Sequence, residues 1–116
     1  MKTNVDPRKF VEKLLSRSSC KVQVGACLSD KHGIFAWGVN HAGSGYGLCA
    51  ERECLRKCNR KRVAGAVMWV ASRRKKSENP VCSLPCAACW PAVSQCLYVI
   101  YRDKQGIWKR VDREAL

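Results

Sequence analysis

Two short stretches carry most of the reactive chemistry in this chain, Cys49-Ala50-Glu51-Arg52 and Pro85-Cys86-Ala87-Ala88-Cys89. Together they offer three thiolates and one carboxylate. Three protein ligands hold a tetrahedral Zn2+ with one position open, which separates a reactive zinc from a closed structural one. Glu51 is not needed as a ligand, and a carboxyl group beside such a metal is suited to moving protons. A rival reading is a closed structural zinc. Cys54 and Cys58 pair with Cys86 and Cys89 as a four-cysteine site, or Cys82 joins Cys86 and Cys89, and either leaves Glu51 and Arg52 without a role.

The elements that must position these groups follow from periodicity and capping. Asp6-Pro7 is a helix start, with Asp as cap and Pro at the first helical position. Phe10, Val11, Leu14 and Leu15 share one face of that helix, which should end near Ser16 to Ser19. Val22 to Leu28 reads as a strand and Ile34 to Val39 as its partner, with the polar Ser29-Asp30-Lys31-His32-Gly33 segment as a hairpin loop. The glycine-rich His41 to Leu48 loop lacks the Gly-Lys-Ser/Thr ending of a phosphate-binding loop.

Cys49 opens a second helix predicted to run to about Arg60. Glu51, Cys54, Leu55 and Cys58 fall on one side of it, while Arg52, Arg56, Lys57 and Arg60 fall mainly elsewhere. A carboxylate on an apolar face is costly unless something pairs with it or uses it. The Val63 to Ala71 run predicts a central strand covered on both faces, and the polar Arg73 to Pro80 stretch a loop. Cys86 should start a third helix, whose amides and dipole favour a thiolate, with Pro91 shortening or kinking it. Leu97 to Arg102 reads as a buried strand, joined by an Asp103-to-Gly106 turn to a last antiparallel strand over Trp108 to Val111. This order of strands and helices predicts a single α/β domain over 1–116 with a mixed sheet.

Composition narrows the class. The 116 residues suffice for one core, and 47% hydrophobic content is ordinary for a globular protein. No stretch is long and apolar enough to span a bilayer, and no secretory signal pattern opens the chain. Nine cysteines without such a signal favour metal binding in a reducing, cytoplasmic setting over a disulfide framework. Of these, Cys20, Cys27, Cys54, Cys58 and Cys96 read as small core residues. A net charge of +13, from 22 Lys and Arg against 9 Asp and Glu, favours anionic partners. Arg56/Lys57/Arg60/Lys61/Arg62 and Arg73/Arg74/Lys75/Lys76 are two basic groups of the kind that contact single-stranded nucleic acid, or else simply solvated faces.

Over nearly its whole length the chain resembles the zinc-dependent cytidine deaminases. Cys20-Lys21-Val22-Gln23-Val24-Gly25-Ala26-Cys27-Leu28 is similar to their Ser-Lys-Phe-Pro-Val-Gly-Ala-Ala-Leu segment. Gly33-Ile34-Phe35 with Gly38-Val39-Asn40 is similar to their second strand and substrate-binding Asn, and the two cysteine stretches resemble their zinc motifs, with a non-ligand Glu as general acid/base. The resemblance implies a three-layer α/β/α sandwich with a five-stranded mixed sheet, a tightly bound zinc and a homo-oligomer, tetramer or dimer. By position it implies Cys49, Cys86 and Cys89 as zinc ligands and Glu51 as proton carrier. It further implies Asn40 as a sugar contact and Arg52 as compensation for the charge of three thiolates. The Ala50 amide is expected to bind the base.

The chain also departs from that pattern. Val22 stands where nucleoside enzymes place a base-stacking Phe, so Tyr46, Trp37 or Trp90 has to take that part, with Tyr46 the best placed. The Asn-x-Glu sugar clamp is Asn40-His41-Ala42 here, and the following loop is nearer in length to that of blasticidin-S deaminases. The implied reaction is deamination of cytosine to uracil in a nucleoside or nucleotide. Alternatives are deamination of cytosine in single-stranded DNA or RNA, or a silent, basic, zinc-stabilised binding module.

Overall fold

In a computed structural model the described residues are 5–41, 49–84 and 90–112, the side chain of residue 90 aside. The chain begins with α1, Pro7–Leu14, and a 3-10 turn over Leu15–Arg17. Asp6 caps α1 as its sequence predicts, accepting the Arg8 N–H at 2.9 Å, and Pro7 occupies the first turn. A hairpin follows, β1 (Val22–Asp30) and β2 (Gly33–Val39), and then α2 (Ala50–Lys57). A 3-10 helix over Arg60–Gly65 leads into β3 (Val67–Arg74) and the two-residue β4 (Pro80–Val81). The chain continues through α3 (Trp90–Val93), β5 (Tyr98–Arg102) and β6 (Trp108–Asp112).

The sheet runs β2-β1-β3-β5-β6, with β4 paired to β3 off that path. It is mixed: β3 and β5 are parallel, and every other pairing is antiparallel. The expected count of five strands is therefore corrected to six among the described residues. The sixth arises because β3 continues through Arg73 and Arg74, turns at residues 75–77, and returns to pair Pro80 with Arg73 and Val81 with Ser72. Proline at the start of so short an edge element costs no ladder bond.

Two other boundaries move. The Ser29–Gly33 segment is not a loop of that length, because the hairpin pairs Ser29 with Ile34 and Asp30 with Gly33, leaving a turn at Lys31 and His32. Gly33, with φ +107, takes the left-handed conformation this tight reversal needs. The second helix stops at Lys57, not near Arg60, because Asn59 caps a new 3-10 helix by accepting the Lys61 N–H at 3.1 Å. Val63 therefore packs into the core from that turn, and the central strand begins only at Val67.

Side-chain alternation on β1 divides the molecule into layers. Ala26 and Leu28 join Cys54, Leu55, Met68, Val70, Val93 and Val99 in the core between the sheet and α2 and α3. On the other face Cys27 and Ala71 pack against Val11 of α1. This is the expected α/β/α arrangement. Two glycines allow the helices to lie close. A Cβ on Gly25 would come within 3.1 Å of Val11 O in α1, and one on Gly38 within 2.8 Å of both Ala50 O and Cys54 N in α2.

Candidate active site

Cys49 is the N-cap of α2, in extended conformation, and its carbonyl accepts the Glu53 N–H at 2.9 Å. Its side chain therefore stands at the positive end of a helix dipole, where a thiolate is stabilised. Ala50 and Glu51 follow in the first turn and are both buried, Glu51 being only 5% exposed. Burial pushes the Glu51 carboxyl above its ordinary pKa, opposed in part by its own backbone N–H. A buried carboxyl of this kind is disposed to hold a proton.

These residues line a cavity of about 370 Å³ at the end of β1. Its walls include Cys20 just before β1, Val22 and Val24 from one side of β1, Asn40 and His41 beyond β2, and Ser72 from β3. Val81, Cys82, Ser83 and Leu84 close the opposite side. Glu51 is the only carboxyl among the described residues lining it.

Asn40 is more firmly held than a residue that only greets a ligand. Its Nδ2 donates to Val22 O at 2.8 Å, while Oδ1 accepts from Val24 N at 2.9 Å and from Ser18 Oγ at 2.6 Å. Both oxygen lone pairs are used and one amide hydrogen remains for a ligand. The same side chain thus ties β2 to β1 and faces the cavity.

The other expectations divide. Val22 and Ala50, expected to meet the substrate, line the cavity. Arg52, expected to offset thiolate charge, is exposed on the flank of α2, around a shallow recess that it shares with Ala92 and Gln95 of the segment after the second cysteine stretch. Trp37 is removed as a stacking candidate, because it lies outside the cavity with Lys57 Nζ 4.1 Å and Arg17 Cζ 5.3 Å from its ring. No aromatic residue appears among the described lining residues. Cys86, Cys89 and Tyr46, and the Trp90 side chain, lie outside what is described. Leu84, immediately before that segment, lines the same cavity as Cys49.

The remaining cysteines bear on the closed-site reading. Cys54 is fully buried in the core beneath the sheet, where desolvation raises its thiol pKa steeply. Cys58 is half-buried at the far end of α2, donates to Leu55 O at 3.2 Å, and also has a raised pKa from burial. Neither lines the cavity. Cys27 is another core thiol, raised to about 12 by desolvation. Cys96 is buried as expected, but Cys20 is half-buried on the cavity wall rather than in the core. Cys82 is an exposed thiol at the rim.

Three functional placements escape a sequence reading. Glu53 is 8% exposed although it points away from the apolar stripe; Arg56 Nη2 at 3.0 Å, Lys57 Nζ at 3.7 Å and His41 Nε2 at 4.0 Å surround it. It thereby links α2 to the residue that opens the loop beyond β2. Its i,i+3 and i,i+4 partners were a visible signal. Arg102 is also buried: Nη1 meets Glu12 Oε2 at 2.8 Å and Nη2 donates to Ser72 O at 3.0 Å, bracing the cavity wall from behind. Ser83 stitches the same wall, its Oγ donating to Val70 O and accepting from Arg102 N, both at 2.9 Å.

Among the described residues no three potential ligands gather around one point, since two of the three expected thiolates fall outside them. The donor chemistry that is present fits zinc: a thiol at a helix N-terminus, a buried carboxyl two residues on, and a shared cavity. No helix among the described residues is long and apolar enough to cross a membrane.

An α/β/α sandwich with a thiol and a buried acid at the start of the helix over its sheet defines a class of zinc deaminase-like proteins. The chain matches the family model for the cytidine and deoxycytidylate deaminase zinc-binding region over residues 8–101. It belongs to that family, and zinc is accordingly its metal. Solved structures agree on the fold. The cytidine deaminase of Burkholderia pseudomallei is 18% identical with a TM-score of 0.70, covering 92% of this chain and 90% of its own. That of Mycobacterium leprae is 16% identical with a TM-score of 0.60, covering 89% and 88%. That of Mycobacterium tuberculosis is 17% identical at 0.53, covering 81% and 79%. No match is found among curated protein sequences.

Proposed function

We propose that this protein hydrolyses the exocyclic C4–N bond of cytosine in a nucleoside or nucleotide, releasing ammonia and leaving uracil. The observation that carries the reading is Glu51. It is a carboxyl buried at the wall of a ligand-sized cavity, two residues after a helix-capping thiol, in a chain of the deaminase family. Burial of so costly a group, with no ion pair to it among the described residues, is explained by use.

Cys49, Cys86 and Cys89 would hold the zinc, with Arg52 offsetting part of the charge of three thiolates. When bound, the metal supplies Lewis acidity that lets water lose a proton near neutral pH. Glu51 takes that proton as the oxygen attacks C4 and passes it to N3; it then takes the remaining proton of the new C4 hydroxyl and gives it to the amine, so that ammonia departs as the C4 carbonyl forms. The Ala50 N–H lies in the first turn of α2, has no intrahelical acceptor, and is available to the base. Asn40 offers its remaining amide hydrogen to the sugar. Val22 and Val24 supply an apolar wall, and Tyr46 would stack on the ring. A homo-oligomer, dimer or tetramer, forms part of this reading, and light scattering measures it directly.

The test is a panel. Zinc-loaded protein is incubated with cytidine, deoxycytidine, their monophosphates and a cytosine-containing single-stranded oligonucleotide. Uracil should appear in at least one mononucleoside or mononucleotide reaction. Silence on all of them with zinc bound contradicts the proposal in favour of a binding module, and conversion of the oligonucleotide alone favours a polynucleotide substrate.

A further inference from the structure

Much of the positive charge is already committed. Arg62 forms two 2.7 Å bonds to Asp30 and lies over the Phe35 ring, Arg73 joins Gln23 and Glu78, and Arg56 and Lys57 gather on Glu53. Arg74 is different. It is exposed, and among the described residues no carboxylate pairs with it. Its backbone is nevertheless fixed at both ends, the N–H donating to Asn79 O at 2.9 Å and the carbonyl accepting the Glu78 N–H at 2.8 Å.

Register determines where this guanidinium belongs. Val24 is paired with Ser72 and Val22 with Arg74 in the antiparallel ladder of β1 and β3. Directly opposed residues on such strands project from the same face. Val22, Val24 and Ser72 all line the cavity. Arg74 therefore stands on the cavity face, one step beyond Ser72, roughly 7 Å further along the strand. Arg73 projects to the other face, where Gln23 and Glu78 hold it. The result is a cation without a carboxylate partner among the described residues, on an anchored backbone one strand step beyond the lining residue Ser72 and on the cavity's face of the sheet, of the planar kind that grips phosphate through two N–H groups.

We infer that Arg74 reads a phosphate on the substrate, making the preferred ligand a cytosine nucleotide rather than the free nucleoside. The inference deepens the deaminase reading and rests on the same cavity. Binding is measured with products, which are not consumed, so that its outcome is independent of turnover. The zinc-loaded protein is titrated calorimetrically with uridine, uridine 5′-monophosphate, a short uracil-containing single-stranded oligonucleotide, and inorganic phosphate.

The monophosphate should bind roughly ten-fold or more tightly than uridine, with the margin shrinking as salt is raised. Arg74→Ala should abolish that margin while leaving uridine affinity unchanged, and Arg74→Lys should retain part of it. Lys31→Ala, which removes an exposed charge at the opposite end of β1, should change neither. A margin carried by the oligonucleotide and lost in the same variant assigns the phosphate to a diester. Equal affinity for uridine and its monophosphate, or Arg74→Ala weakening both alike, overturns the assignment. Absence of uracil formation in the substrate panel is the separate failure of the deaminase reading.

Discussion

Asn40 and Val24 exchange two hydrogen bonds across β1 and β2, one of them made by a side chain. The Asn40 N–H donates to Val24 O at 3.1 Å, and the Val24 N–H donates to Asn40 Oδ1 at 2.9 Å. The side-chain carbonyl thus replaces the backbone carbonyl that the next rung of a ladder would supply. A residue that faces the cavity is at the same time the last stitch of the hairpin.

Asn40→Ala should therefore cost stability as well as any substrate contact. It strips partners from the Val24 N–H and Val22 O, for a loss of about 1–3 kcal/mol. Urea denaturation of the wild type and the variant checks it. A variant of unchanged stability would show that the stitch contributes nothing to the fold.

Gly38→Ala should separate β2 from α2. The added methyl meets Ala50 O, Cys54 N and Glu53 Cγ, each at 2.8 Å, and two of these are backbone atoms that cannot rotate away. An overpacking cost of about 1–3 kcal/mol is expected. Because Ala50 and Cys49 begin the displaced helix, zinc retention should fall with it. Thermal melting and metal analysis of one preparation measure both.

The Asp30–Arg62 pair makes a specific acid-stability prediction. Arg62 holds the Asp30 carboxyl down to about 2, against an ordinary value of 3.8. Because the folded pKa is depressed, the pair's contribution is fully present above about pH 4 and is lost as pH falls toward 2. Asp30→Asn should lower the melting temperature at neutral pH, and the difference from wild type should close between about pH 4 and 2. A difference that stays constant across that window would contradict the pairing.

Cysteine replacements distinguish an open site from a closed one. Cys49→Ser should lose most of the zinc and all turnover. Cys82→Ser should keep one equivalent of zinc, and so should Cys54→Ser if the smaller, more polar core side chain leaves the protein folded. Chelation should silence the wild type and zinc should restore it. Zinc lost from Cys82→Ser while the fold survives would favour the alternative in which Cys82 joins Cys86 and Cys89; zinc lost from a folded Cys54→Ser would favour the four-cysteine one.

Local chemistry made much of this architecture legible in the sequence. The Asp6-Pro7 start, the apolar spacing of α1 and the alternation in β1 each express a constraint carried by neighbouring residues. Glu51 was legible for the same reason, since helical geometry put it beside Cys54 and Leu55. What escaped depended on distant partners or competing caps. Nothing near Arg102 announces that Glu12 and the Ser72 carbonyl will enclose it. Asn59 ended one helical segment and began another inside what reads as a single pattern, and the apolar run from Val63 concealed the change. β4 consists of two residues whose pairing depends on the turn after Arg74, where Glu78 takes a φ of 60°. Trp37 looked free for stacking until its opposing cations, Arg17 and Lys57, were seen.

Glu51→Gln tests the central claim most directly, because it preserves shape and burial while removing the proton carrier. Ammonia release from the substrate that the panel identifies would be measured together with zinc content and melting temperature. The account predicts one equivalent of zinc, an intact fold, and turnover reduced by about 100- to 10,000-fold or more. Ammonia released at near wild-type rates by the zinc-loaded variant would contradict it.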